Sequence, residues 1–205
     1  MTIAVAGGAE VVSLESPKTL PLVTSGTTVR GRIPDAVLGM SVFLVTEVML
    51  FCGLISAHIV LRGPAIIWPP MGQPRLPIEV TLVNTCFLLL SGYLMLRATD
   101  AFSQGRQRDA RRLLGQTLAL GALFVSVQGY EWARLISFGL TTRSGLYGAL
   151  FYTLVGAHGL HVIGAVTALA VVRMRPTADR LSAMKLYWLF VVGVWPALFG
   201  LVYLW

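Results

Sequence analysis

The sequence predicts an all-α integral membrane protein, a bundle of five transmembrane helices joined by short connections. Three observations lead to this prediction. Of the 205 residues, 56% are hydrophobic and 12% are charged, which is too apolar for a soluble domain of this length. Five apolar runs match the roughly 20 residues that cross a ~30 Å hydrocarbon core. The basic residues lie mostly between these runs. The predicted organisation is an N-terminal tail, residues 1–34, followed by one membrane domain, residues 35–205.

The five helices follow from the apolar runs in chain order. The first run comes directly after Pro34 and Asp35, residues that suit a helix start. The second is the shortest and follows a turn-rich segment, residues 68–74. The fifth contains Pro196, which is expected to kink it. The predicted spans are 36–61, 80–96, 113–138, 146–172 and 186–205.

The distribution of charge predicts the orientation of the bundle, because basic residues favour the cytoplasmic side of a membrane. With the N-terminus inside, the cytoplasmic segments hold Lys18, Arg30, Arg32, Arg97, Arg106, Arg108, Arg111, Arg112, Arg173, Arg175, Arg180 and Lys185. The outer side holds Arg62, Arg75, Arg134 and Arg143. We therefore predict a cytoplasmic N-terminal tail and an outer C-terminus. The net charge of +7 is then explained by membrane orientation, and nucleic-acid binding is not expected.

Aromatic residues at the two ends of the fifth predicted span suit the two membrane interfaces, where Trp and Tyr are enriched. These residues are Tyr187, Trp188, Tyr203 and Trp205.

Polar residues inside the predicted spans require an explanation, because an ionisable group in the bilayer is costly and often functional. They form a candidate intramembrane polar network of Glu47, His58, Gln128, Glu131, Arg134, His158 and His161. At a rise of ~1.5 Å per residue, Glu47 and His158 reach similar depths, so we predict that they meet and share a proton or a hydrogen bond. The two histidines of the fourth span, spaced i, i+3, lie on one face of their helix.

The spacing of these residues leaves several interpretations open. A buried polar network would lock the helices together, whereas a chain of carboxylate and imidazole groups would carry protons. A metal site on His158 and His161 lacks a third ligand close in sequence. A haem held by two histidines would make the chain a single-haem electron carrier. A small proton-coupled transporter is a further alternative, although no inverted repeat is found.

Ordered motifs along all five spans identify a family. They are 38–40 (LGM), 46–51 (TEVMLF), 68–70 (WPP), 84–85 (NT), 128–132 (QGYEW), 156–162 (GAHGLHV), 187–188 (YW), Trp195 and 203–205 (YLW). With these motifs the chain resembles subunit III of the haem-copper terminal oxidases, the cytochrome c and quinol oxidase family. It is similar to the short five-helix bacterial form, which lacks the first two of seven spans. The resemblance maps the acidic motifs of the family onto Glu47 and Glu131, and its histidine pair onto His158 and His161.

The resemblance implies a non-catalytic accessory subunit of a bacterial respiratory oxidase that reduces oxygen to water. Such a subunit supports the stability and sustained turnover of the catalytic subunit and carries no haem, copper or other metal. The implied partners are catalytic subunit I, subunit II, other respiratory subunits and membrane lipids, with structural phospholipid bound between helices. The implied location is the bacterial plasma membrane. A companion subunit of nitric oxide reductases shares much of the pattern and is the alternative within this resemblance.

Overall fold

The computed structural model describes residues 34–74 and 76–204, and the regular elements within these residues are all helices. The predicted tail lies outside the described residues except for Pro34. The helices are α1 (Asp35–Arg62), α2 (Ile78–Ser103), α3 (Gln107–Ser137), α4 (Leu146–Met174) and α5 (Ala178–Phe199). All five are long and apolar enough to cross a membrane, which confirms the predicted fold class.

Three helices extend beyond the apolar runs that predict them. Helix α2 continues to Ser103, α3 begins at Gln107, and α5 begins at Ala178. The sequence signal ends where charged residues appear, but a helix continues through the headgroup region, where charged side chains are solvated. The added turn of α2 is also packed, because Ala98 and Ala101 are fully buried.

The early start of α5 corrects the expectation for its aromatic residues. Trp188 lies ten residues into the helix, is 1% exposed, and donates a hydrogen bond from Nε1 to Ser91 Oγ at 3.2 Å. Tyr203 is also buried. These two side chains therefore belong to the core of the bundle and not to an interfacial belt. Trp205 lies outside the described residues.

Helix α5 is the central element, since it packs against α1, α2 and α4. Helices α2 and α3 form a hairpin whose turn places Gly105 at φ 75°, a left-handed conformation that glycine adopts without steric cost. Helix α3 also packs on α4, and α1 packs on α4 and α5. Pro196, where a kink is predicted, lies within the continuous helix α5, which passes into a π-helical turn at Gly200–Leu204.

Two tryptophans of α5 fasten it to α2. Trp188 reaches Ser91, and Trp195 donates from Nε1 to Thr85 Oγ1 at 2.8 Å. The tryptophans are seven residues apart and therefore share one face of α5. The indole N–H groups of Trp188 and Trp195 thus both have partners, which avoids the cost of two unpaired donors in the core.

Candidate functional site

Among the described residues, the shortest side-chain hydrogen bond between two helices joins α1 to α4. Glu47 Oε2 lies 2.6 Å from His161 Nε2, and both side chains are largely buried, with exposures of 13% and 17%. The other ring nitrogen, His161 Nδ1, donates to the carbonyl oxygen of Ala157 at 2.7 Å. We call this contact the Glu47/His161 pair.

The Ala157 carbonyl fixes the protonation pattern of the pair. A carbonyl oxygen only accepts, so Nδ1 must carry a hydrogen. The 2.6 Å contact then holds a single proton, which belongs either to the carboxyl of Glu47 or to Nε2 of His161. In both forms the pair as a whole is neutral. Either both groups are uncharged, or the proton has moved from Glu47 to His161 and leaves one negative and one positive charge. Neutrality reduces the cost of placing the pair in a low-dielectric setting.

Aromatic side chains hold the pair in place. The rings of Phe51 and His161 pack edge to face, with centroids 5.2 Å apart. Tyr187 Oη on α5 donates to the carbonyl oxygen of His161 at 3.2 Å and packs against Phe43. The sequence pattern did not identify Phe51 or Tyr187 as supports, because their role depends on which helices become neighbours.

The predicted partnership of Glu47 with His158 is wrong. His158 is 1% exposed and stacks on Trp195, with centroids 5.0 Å apart and planes 27° apart. Both of its ring nitrogens lack a hydrogen-bond partner among the described residues. Residues spaced i, i+3 differ by about 60° around a helix, and this rotation turns His161 toward α1 and His158 into the aromatic core.

His58 also lies apart from Glu47. It is 2% exposed, and its ring packs edge to face with that of Trp68, with centroids 6.3 Å apart. Within the described part of the chain, neither of its ring nitrogens has a hydrogen-bond partner. Trp68 in turn packs against Tyr147 of α4. This histidine therefore joins α1 to the segment that follows it and does not extend the Glu47/His161 pair.

The polar residues of α3 form two further contacts, one with the end of the chain and one within α3. Gln128 Nε2 donates to Tyr203 Oη at 3.0 Å, which ties α3 to the end of the chain. Arg134 Nη1 lies 3.5 Å from Glu131 Oε1, and the side chain of Glu131 is 7% exposed whereas that of Arg134 is 49% exposed. The seven predicted polar residues therefore do not form one network. Glu47 contacts His161, Gln128 contacts Tyr203, and Glu131 contacts Arg134. His58 and His158 lie against tryptophan rings.

The described residues indicate which kinds of chemistry these contacts could support. Residues 34–74 and 76–204 hold no group of three or more His, Cys, Asp and Glu side chains placed to bind a metal ion. The Glu47/His161 pair holds one exchangeable proton and connects two helices. Gln128 connects α3 to the end of the chain, whereas Glu131 and Arg134 contact each other within α3.

Comparison with known proteins adds independent information. A sequence family described as cytochrome c oxidase subunit III matches residues 24–205. The chain is 36% identical to cytochrome c oxidase subunit 3 of Synechocystis sp., over 81% of this chain and 74% of that protein. It is 33% identical to probable cytochrome c oxidase subunit 3 of Mycobacterium leprae, over 88% of this chain and 96% of that protein. It is 35% identical to cytochrome c oxidase subunit 3 of Scyliorhinus canicula, over 82% and 68% of the two chains.

Proposed function

The chain belongs to the cytochrome c oxidase subunit III family, and we propose that it is the non-catalytic accessory subunit of a bacterial oxidase that reduces oxygen to water. The observation that carries the proposal is the family match, which spans all five helices of this multi-pass plasma-membrane protein. The bacterial assignment is supported by relatives from Synechocystis sp. and Mycobacterium leprae, which are 36% and 33% identical to this chain.

The redox centres of this enzyme belong to partner subunits. The chain has three histidines, fewer than the haems and copper of a catalytic subunit require. Of these, His161 is engaged with Glu47, and His158 is enclosed by aromatic rings. We assign haem and copper to catalytic subunit I and subunit II, which this chain contacts through its membrane surface.

The accessory role is to keep the catalytic subunit stable through sustained turnover. Helix α1 offers a broad apolar surface for this purpose. Of its 28 residues, Phe51 and His58 are the two that are buried within this chain, so most of its other side chains are accessible to a partner. The Glu47/His161 pair anchors that helix to α4, so the surface is presented in one fixed position. Phospholipid bound between helices strengthens the same assembly.

Affinity purification of the tagged chain in mild detergent tests the proposal. Mass spectrometry of the co-purified proteins and a reduced-minus-oxidised optical spectrum are the two measurements. We expect a haem-copper catalytic subunit in the preparation, with oxygen-reducing activity and all of the haem bound to that subunit. A nitric oxide reductase as the partner would overturn the assignment to oxygen reduction. A chain that purifies alone, with or without haem, would overturn the accessory role.

A further inference from the structure

A cavity of about 200 Å³ lies between α3 and α4 and opens at the side of the bundle. At its rim, Leu160 is 71% exposed and Ile163 is 49% exposed, whereas Trp195 of α5 is fully buried and closes its inner end. A cavity of about 150 Å³ is large enough to hold benzene, so this one can hold a substituted ring. We call it the α3–α4 cavity.

Two glycines keep the cavity open. Gly129 of α3 and Gly156 of α4 both line it, and no atom lies within 4 Å of a Cβ added at either position. Gly159 differs, because a Cβ added there would lie 3.0 Å from Cη2 of Trp132. The two helices are therefore in close contact beside the cavity, and the space is a local gap between packed helices.

Two side chains on the wall of the cavity carry polar atoms that lack a hydrogen-bond partner within residues 34–74 and 76–204. The atoms are Nε1 of Trp132 and both ring nitrogens of His158, a side chain that is 1% exposed. The indole N–H of Trp132 only donates, whereas a neutral imidazole donates at one nitrogen and accepts at the other. Buried polar groups are almost always hydrogen-bonded, so these groups indicate an occupant with oxygen atoms at its edge.

The walls and the depth of the cavity indicate a flat, uncharged ring. Phe124 and Trp195 both pack on His158, with ring centroids 6.5 Å and 5.0 Å away, and such aromatic surfaces favour contact with a further ring. For a helix centred on the membrane, a rise of ~1.5 Å per residue places the cavity residues of α4 within about 8 Å of its midpoint. The hydrocarbon core extends roughly 15 Å from its centre. A charged headgroup is excluded at this depth by the cost of placing a charge there.

We propose that the α3–α4 cavity binds the ring of a lipid-soluble quinone. One ring oxygen accepts a hydrogen bond from Trp132 Nε1, a second contacts a ring nitrogen of His158, and the isoprenoid chain leaves over Leu160 and Ile163. Both redox forms fit, because the neutral imidazole can donate to a quinone carbonyl or accept from a quinol hydroxyl. The proposal concerns binding, goes beyond the proposed function, and does not depend on which enzyme the chain accompanies.

Photolabelling of the purified complex tests the site. The probe is an azido-benzoquinone with a geranyl chain, used below saturation, and labelled peptides of this chain are mapped by mass spectrometry. We expect label in residues 124–132 and 155–163. An unlabelled benzoquinone with the same chain should displace the probe, whereas the hydrocarbon that has the same ring and chain without the oxygens should not.

Two variants test the residues of the site. Trp132→Phe keeps an aromatic ring but removes the N–H, and should lower the labelling about ten-fold, the effect of one lost hydrogen bond. Gly156→Leu fills the open space and should abolish the labelling. Gly193→Leu is the matched control and should leave the labelling unchanged, because Gly193 of α5 is exposed, has equally open space at its added Cβ, and does not line the cavity.

Displacement of the probe by the hydrocarbon, or unchanged labelling in either Trp132→Phe or Gly156→Leu, would overturn the proposal. Labelling confined to other subunits would also overturn it and would leave water as the partner of Trp132 and His158. Co-purification of the catalytic subunit is scored in the same preparations. Its absence together with selective labelling of this chain would reject the accessory role while retaining the quinone site.

Discussion

At the scale of single residues, the Glu47/His161 pair depends on one proton and one backbone carbonyl. Because Nδ1 of His161 is committed to Ala157, Nε2 needs either a donor or a carboxylate opposite it. A side chain at position 47 can supply that donor without being ionised. The helix-joining role of the pair and any role in proton exchange can therefore be separated by substitution.

Glu47→Ala should lower the stability of the complex and shorten its catalytic lifetime while leaving its haem content normal. The substitution removes the partner of a largely buried nitrogen, at a cost of about 1–3 kcal/mol. Glu47→Gln should retain most of the stability, because the amide N–H can donate to Nε2. The measurements are the thermal inactivation midpoint and the number of turnovers before inactivation.

Wild-type values of both quantities in Glu47→Ala would reject the role of the pair. If Glu47→Gln keeps the stability but loses the catalytic lifetime, the exchangeable proton matters beyond helix packing.

Gly121 provides a second test at the residue scale. A Cβ atom at this position of α3 would lie 2.5 Å from Cη2 of Trp188, whose ring is buried and hydrogen-bonded to Ser91. Gly121→Ala should destabilise the bundle by about 1–3 kcal/mol through overpacking. Thermal unfolding of the purified protein in detergent measures the change. Gly129→Ala is the control on the same helix, because no atom lies within 4 Å of its added Cβ, and a similar loss in both variants would contradict the packing argument.

At the scale of helices, α1 and α5 differ in how many of their residues are buried. Helix α5 packs against three other helices and buries nine residues, among them Trp188 and Trp195. Helix α1 buries two residues and packs on α4 and α5. Elements with few buried contacts open at lower free energy than elements in the core.

Hydrogen–deuterium exchange of the full chain in detergent should therefore be faster across α1 than across α5. The two helices are compared within one sample, so detergent and temperature affect both equally. Mass spectrometry of peptides from each helix gives the rates. Slower exchange in α1 would show that contacts other than those of Phe51, His58 and the Glu47/His161 pair hold it in place.

At the scale of the whole molecule, the distribution of basic residues predicts an orientation. The predicted topology assigns twelve of the sixteen Lys and Arg residues to the side of the N-terminal tail and of the connection between α2 and α3. The positive-inside bias predicts that this side faces the cytoplasm. With an odd number of spans, the C-terminus is then predicted to lie outside.

Reporter fusions test this orientation. Alkaline phosphatase fused after residue 205 should be active, because it folds on the outer side, whereas green fluorescent protein at the same position should remain dark. Green fluorescent protein inserted at residues 104–106 should fluoresce in the cytoplasm. The reverse pattern would contradict the predicted orientation.

The fold class, the number of helices and the set of polar residues inside them could all be predicted from the chain. The length and hydropathy of an apolar run are local properties, and a run of sufficient length must become a helix in the bilayer because its backbone groups have no other partners there. The ends of α2, α3 and α5 were less predictable, since a helix continues past the apolar run once it leaves the hydrocarbon.

The partners of the polar residues depended on the packed bundle. Depth along the membrane predicted a contact of Glu47 with His158, whereas its partner in the structure is His161, because depth alone does not distinguish two histidines one helical turn apart. The choice follows from the rotation of α4 about its own axis, which is set by the packing of Phe51, Trp195 and their neighbours. The same applies to Gln128 with Tyr203 and to Trp188 with Ser91. Such contacts join residues far apart in the chain, and no local pattern encodes the rotation that brings them together.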